Sequence, residues 1–227
     1  PSVIEHNNNL LELRAFIKTV IMKLSLGGSI TVDDEAKAKS LLTEYLPSGS
    51  DIKINQASLN SLLLRIDIVP TPLVLSQAAN ESAWGTSRFA RIGLNFFGIW
   101  CFREGCGMVP SGRSHGAKHE VAAFTSVGDA VKRYLYTINT HRSYSVLRAI
   151  RGQLRALNQP LYANVIATGL LPYSERGSDY VHDIIDMLRH NRRYFSDFEP
   201  VITPSITPVL YVDVTTYEEI ISITNNQ

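Results

Sequence analysis

One carboxylic acid stands apart in the stretch Ser76-Gln77-Ala78-Ala79-Asn80-Glu81-Ser82-Ala83-Trp84-Gly85, because between Pro72 and Gly85 only Glu81 carries a formal charge. A surface helix normally spreads several charges over its wet face, so a lone glutamate beside a tryptophan points to one wall of a cleft. Two effects push such a carboxyl towards its protonated form. The unpaired carbonyls at a helix C-terminus carry a partial negative charge, and burial against Trp84 adds desolvation of the same sign. A glutamate held this way can serve as a general acid near neutral pH, as glycosidases require to protonate a departing sugar oxygen. The plain alternative is a solvated glutamate or a cap for a neighbouring loop. Gln77, Asn80, Glu81 and Trp84 recur at helical spacing, which predicts a polar stripe ending in an aromatic.

A second constellation lies in "CFREGCG", where Cys101 and Cys106 are five positions apart and His115 and His119 follow. An oxidising compartment would close the two thiols as a disulfide and a reducing one would leave them free. C-x4-C-x8-H-x3-H also has the look of a zinc site, although the gap between its pairs is shorter than in common fingers.

The elements that must position these groups follow from periodicity. Leu10, Leu13, Phe16, Ile17, Val20, Ile21 and Leu24 predict an amphipathic helix over 7–24 that stops at Gly27-Gly28. Thr31 with Asp34 predicts a capping box for a second helix, and Leu59, Leu62, Leu63 and Ile66 mark a third. After Pro70, Thr71 is the expected N-cap and Pro72 the first helical residue of the segment carrying Glu81, which should run to about Ala83 and end at Gly85. Residues 99–116 read as a loop. "KHEVAAF" alternates around Glu120 like one arm of a hairpin, and Ser126 with Asp129 opens another helix through Tyr134. Further helices are expected at about 143–157, 160–168 and 177–191, and 199–227 as an extended tail.

The net charge is +1, but residues 81–198 hold 15 basic and 9 acidic side chains, a local excess of 15 − 9 = +6. Such a bias favours an anionic polymer as partner, or simply marks a solvated surface. No apolar run reaches the roughly 18–20 residues that span a bilayer, and the first residues given lack a signal-like basic and apolar segment.

"QAANESAWGTSRFA", "LNFFGIW", "HEVAAFTS" and "VGDAVKRYL", in this order, resemble the glucosaminidase-type catalytic domain of glycoside hydrolase family 73, and the "WCF…GCG" insertion resembles the Bax-like bacterial proteins. The resemblance spans roughly residues 65–195. It implies a mainly α (α+β), lysozyme-like helical domain with a small β-hairpin lobe over 65–198, preceded by an N-terminal helical extension over 1–64 and followed by the tail. It further implies Glu81 as general acid, a second acid at Glu120, and Tyr180, with Tyr173 as alternate, orienting substrate. Gln77, Trp84, Asn95, Phe97, Gly98 and Trp100 would line the cleft, with Asn95 and Gly98 shaping its floor and the aromatics offering faces for sugar rings.

The implied activity is cleavage of the β-1,4 bond between N-acetylglucosamine and N-acetylmuramic acid. The partner would be peptidoglycan glycan strands and not nucleic acid, the chain a monomer without a transmembrane segment, and no metal or organic cofactor is required. Its place would be periplasmic or at the cell envelope, where a Cys101–Cys106 disulfide suits the compartment. The rivals are a lytic transglycosylase or muramidase, a non-catalytic wall-binding domain, and a zinc-organised interaction domain.

Overall fold

The computed structural model describes residues 1–50, 52–113, 116 and 118–198, and the architecture is mainly α with a small antiparallel β lobe. Helix α1 (Ser2–Ser25) starts earlier than its apolar period suggests and buries Val3, Asn7, Leu10, Arg14, Ile17 and Val20, one stripe at steps of three and four. The apolar members pack against α3 (Gln56–Arg65) and α6 (Val127–Thr140). The two polar members reach through to the turn after α3. Asn7 Nδ2 donates to Val69 O at 2.9 Å, and Arg14 donates to the carbonyls of Leu63 and Ile66.

Asp67, at the centre of that turn, accepts from Arg155 Nε and Nη2 at 3.0 and 2.8 Å and lies 3.4 Å from Arg14 and 3.9 Å from Arg151. Arg151 donates to the carbonyls of Leu64, Arg65, Asp67 and Ile68. Burial opposes the charge of Asp67, yet the Arg155 bonds and the neighbouring guanidinium charges hold its carboxyl below the usual range. These contacts fix residues 66–70, the platform from which α4 (Thr71–Glu81) departs.

The start of α4 differs from expectation. Pro70 is the N-cap and Thr71 the first helical residue, so Pro72 occupies the second position and no side chain caps the helix. A proline within the first turn lacks an N–H that would in any case have no helical partner. Leu73 and Val74 N–H instead bond to Pro70 O at 2.9 and 3.1 Å. Helix α2 (Val32–Tyr45) makes half of its expected capping box. Thr31 accepts from Asp34 N at 3.1 Å, but the Asp34 carboxylate turns away to Lys23 Nζ at 2.9 Å. A complete box appears at α3, between Asn55 and Ser58.

Beyond α4 comes α5 (Arg88–Gly93), a six-residue helix that periodicity did not predict, capped by Ser87 and ended by Leu94 at φ 51°. The lobe follows as β1 (Trp100–Cys101), β2 (Gly107–Met108) and β3 (Glu120–Ala122), with β3 between the other two. Trp100 pairs with Val121, Cys101 with Glu120 and Gly107 with Ala122. After α6, the helices α7 (Ser145–Ala156), α8 (Ala163–Ala167) and α9 (Ser178–His190) are linked by short 3-10 turns at 142–144 and 168–173. One apolar cluster runs from Val3 to Leu188 and joins residues on both sides of position 64. The expected tail over 199–227 lies outside the described residues.

Candidate active site

Glu81 is the last residue of α4, two positions earlier than the expected helix end. The chain reverses there through three consecutive left-handed residues, Ala83 at φ 49°, Trp84 at 56° and Gly85 at 78°. Such backbone is costly for residues other than glycine and is paid for locally by hydrogen bonds. Ser82 Oγ donates to Ala78 O at 2.6 Å and accepts from Gly85 N at 2.7 Å, while Trp84 N bonds to Ala79 O at 2.7 Å. The Ser-x-Trp-Gly run thus ends the helix with the carboxyl at its rim and leaves Trp84 66% exposed.

Behind Glu81 sits a tyrosine cluster. Tyr180 on α9 and Tyr173 stack with centroids 5.4 Å apart and planes 9° apart, and Tyr134 on α6 stacks on Phe97 at 4.3 Å. Gln77 joins the two layers, donating to Tyr180 Oη at 2.9 Å and accepting from Tyr134 Oη. Burial raises the Glu81 pKa above the ordinary carboxylate value; a hydrogen bond from Tyr180, another from Asn80 at 3.4 Å and the charge of Arg176 oppose the shift. Burial and the charge of Glu81 in turn push Tyr180 upward and Tyr144 to about 12, so both phenols are protonated donors at any physiological pH. Arg176 is itself held by Asp183 at 2.5 Å.

The lobe is joined to this site through Asn95. Its Nδ2 donates to Ile99 O and Ala122 O, both at 2.8 Å, and its Oδ1 accepts from Phe97 N and Ile99 N. The loop so formed brings Gly98, at φ 63°, against the carboxyl, where a Cβ would lie 3.5 Å from Glu81 Oε2. Tyr173 Oη holds the same loop through Phe97 O at 2.8 Å.

The placement of the expected site residues is uneven. Gly98 lies against Glu81, and Asn95 and Tyr173 hold the loop that carries it, while Tyr180 stacks on Tyr173. Gln77 is 0% exposed and Phe97 is buried on Tyr134, so both are interior residues and not the cleft-lining ones expected. Trp84 and Trp100 are exposed, Trp100 resting on the His119 ring at 4.2 Å. Glu120 is also placed differently from the expected cleft-facing acid. Its residue is buried, and its two oxygens accept from Gly105 N at 3.0 Å and Gly107 N at 2.8 Å, which holds its carboxyl below the usual range. Those amides belong to the loop closed by the Cys101–Cys106 disulfide. With the sulfurs bonded to each other, no thiolate remains for a zinc set, and His115 lies outside the described residues. Tyr144, whose phenol also feels the Glu81 charge, carries no sequence signal of its own. With ten tyrosines in the chain, nothing in its local pattern marks it.

The basic excess of the middle segment is also partly internal. Arg148 and Arg151 are buried, and Arg151 with Arg155 serves Asp67, so these charges do not face a distant partner.

A partly buried carboxyl with a raised pKa at a helix end, against a glycine-bearing loop, is suited to acid catalysis on a sugar linkage. Comparison with known proteins agrees with that chemistry. Residues 57–193 match the glucosaminidase family, described as mannosyl-glycoprotein endo-beta-N-acetylglucosaminidase. Protein bax of Escherichia coli (strain K12) is 36% identical over 162 residues, which cover 70% of this chain and 56% of that protein, so the chain spans little more than half the length of this curated relative. No solved structure matches the chain. The arrangement around Glu81 is therefore found in a chain that belongs to the glucosaminidase family of glycoside hydrolases, as a Bax-like protein.

Proposed function

We propose that the protein is a peptidoglycan hydrolase that cleaves the β-1,4 bond between N-acetylglucosamine and N-acetylmuramic acid, with Glu81 donating a proton to the departing oxygen. The observation that carries this reading is the partly buried carboxyl of Glu81, at the end of its helix and against Gly98, its pKa raised by burial. Trp84 and Trp100 supply apolar faces for sugar rings, a role suited to their exposure. The Cys101–Cys106 disulfide fits an oxidising compartment, and thus a periplasmic or envelope location. Among the described residues no helix is long and apolar enough to cross a membrane.

We read Glu120 as the residue that shapes the lobe and not as a free base, because both its oxygens are engaged by backbone amides. That observation favours a mechanism with one protein carboxyl, in which the substrate's own N-acetyl oxygen attacks the anomeric carbon as Glu81 protonates the leaving group, and a water that gives its proton back to the Glu81 carboxylate then opens the cyclic intermediate. Digestion of purified wall tests both statements. New reducing N-acetylglucosamine ends, formed with retention, are expected, and Glu81→Gln should lower the rate about 10²–10⁴-fold. Anhydromuramic ends would assign the protein to the lytic transglycosylases, and wall binding without released fragments would leave it a binding domain.

A further inference from the structure

Helical spacing sets Trp84 on one stripe with Asn80 and Glu81, but the chain reversal after α4 carries it elsewhere. Its backbone N–H bonds back to Ala79 O at 2.7 Å, and its side chain lines a groove of about 420 Å³ together with Ala79 and Ser76. Ala79 and Glu81 are two residues apart, so they point about 200° from one another around the helix axis. The groove therefore lies on the side of α4 turned away from the Glu81 carboxyl. Its other wall is built from Met187 and Asn191 at the end of α9 and from Tyr194 in the 3-10 turn over 192–194. Asn191 Nδ2 donates to Met187 O at 2.9 Å, and Arg193 donates to the Tyr194 hydroxyl at 2.7 Å with its guanidinium 4.7 Å from the ring centre.

The two walls offer open aromatic surface, Trp84 being 66% and Tyr194 63% exposed. Ser76, on the α4 wall, is buried, and among the described residues its hydroxyl makes no hydrogen bond. Such a group carries its full desolvation cost and marks a place where a guest can complete the bonding. A serine oxygen swings between staggered positions about one torsion, so it can turn to an acceptor that enters the groove. We propose that this groove is a second saccharide site, separate from the reacting centre, which takes an N-acetylated sugar of a glycan strand. The apolar faces of the sugar ring rest on Trp84 and Tyr194, the acetamido oxygen accepts from Ser76, and the acetyl methyl lies against the small side chain of Ala79. An acyl chain offers the Ser76 hydroxyl no acceptor, and Arg193 at the rim disfavours a cationic guest. The inference rests on the reading of the substrate as a glycan. Residues 81–85 join the two sites, so a strand that passes round the end of α4 engages both, and its hold on the groove raises its effective concentration at Glu81.

The test titrates the full chain with the N-acetylglucosamine trimer, and with the glucosamine trimer as the probe that lacks acetyl groups. The chain has two tryptophans, so its nitrogen-15 NMR spectrum carries two indole signals, which Trp84→Phe assigns. Recording in the parent and in Glu81→Gln separates binding from consumption of the probe. The N-acetylated trimer is expected to move the Trp84 signal saturably, and the glucosamine trimer to bind there about tenfold more weakly. Tyr194→Ala, on the far wall, and Ser76→Ala should each weaken the Trp84 response about two- to tenfold and leave the midpoint of any Trp100 response unchanged. A Trp84 signal that stays in place, that follows both trimers alike, or that titrates as in the parent in either variant overturns the proposal. Binding unchanged in Tyr194→Ala would belong to the Glu81 cleft instead.

Stability separates this role from a structural one. Ser76→Ala deletes an unmatched buried group and should melt at or above the parent, whereas a hydroxyl needed for the fold would lower the melting temperature when removed. Tyr194 is exposed, so its variant keeps the test open if the helix tolerates no change at Ser76. On purified wall both variants should raise KM by a similar factor with kcat unchanged, the pattern of binding lost equally from ground and transition states. The NMR readout needs no turnover. A saturable Trp84 response in a chain that cleaves no glycan would sink the proposed activity and keep the groove, and an active hydrolase with a silent Trp84 would do the reverse.

Discussion

Replacing Gly98 by alanine separates the chemistry of the site from the stability of its frame. Gly98 has φ +63°, and an added methyl would sit 3.5 Å from Glu81 Oε2. That distance is ordinary contact, so no clash is introduced, and the cost to folding is the left-handed conformation alone, about 1–2 kcal/mol. For a domain of this size such a loss lowers the melting temperature by about 2–8 °C. The effect on turnover should be much larger. A general acid must come within about 2.6–3.2 Å of the oxygen it protonates, and the methyl occupies the approach to the carboxyl and dries it further. Displacements of about 1 Å at a reacting centre cost roughly 10²-fold, which sets the expected fall in wall-digestion rate. Gly27→Ala supplies the control, with φ +71° and nothing within 4 Å. It shares the backbone strain and lacks the contact, so it should melt earlier and digest wall normally. Equal activity of the two variants, at matched fractions folded and over the whole pH range, would refute the assignment of Glu81 to the reacting centre.

Three further outcomes are expected. Glu81 has a raised folded-state pKa, so its contribution to stability is greatest when protonated at low pH and declines as pH rises through the folded value; Glu81→Gln should melt above the parent at pH 7, and the gap should close below the ordinary carboxyl range. Asp67→Asn leaves three guanidinium groups facing a neutral amide, a loss of about 3–5 kcal/mol for a buried pair broken on one side, or about 6–20 °C in melting temperature, read by calorimetry. Glu120 has a lowered folded-state pKa, so its hold on the lobe is present above the ordinary glutamate range and disappears as pH falls through the folded value; the protection factors of the Gly105 and Gly107 amides, exchange measured against the intrinsic rate at each pH, should fall on acidification, in Glu120→Gln, or once the Cys101–Cys106 bond is reduced.

Much of this organisation was legible in the sequence, for identifiable reasons. The helices with long apolar periods were predicted because burying one face dictates the spacing, and Glu81 was marked because a solitary charge on an apolar helix needs a cause. The six residues of α5 complete too few turns for a period to register. Helical spacing alone puts Gln77 on the polar stripe with Asn80 and Glu81; its interior place depends on Tyr134 and Tyr180, 57 and 103 positions away, which satisfy both ends of its amide. The charge count likewise treated every arginine as solvent-facing, and no local pattern shows that Arg151 spends its donors on four carbonyls of one turn. The alternation around Glu120 places it in the β lobe, but only the strand register, with Cys101 opposite it, reveals that its oxygens point into the disulfide-closed loop.

The ion cluster at Asp67 constrains how this chain can be recombined with its relatives. Arg14 comes from the first helix, the carboxylate from the turn that launches the helix of Glu81, and Arg151 and Arg155 from a helix more than 80 positions later. A chimera that takes the leading helix from a protein without an equivalent guanidinium would inherit a buried anion short of one counter-charge and uncapped carbonyls at Leu63 and Ile66. The leading segment and the glucosaminidase-family core should accordingly be exchanged only as a matched set.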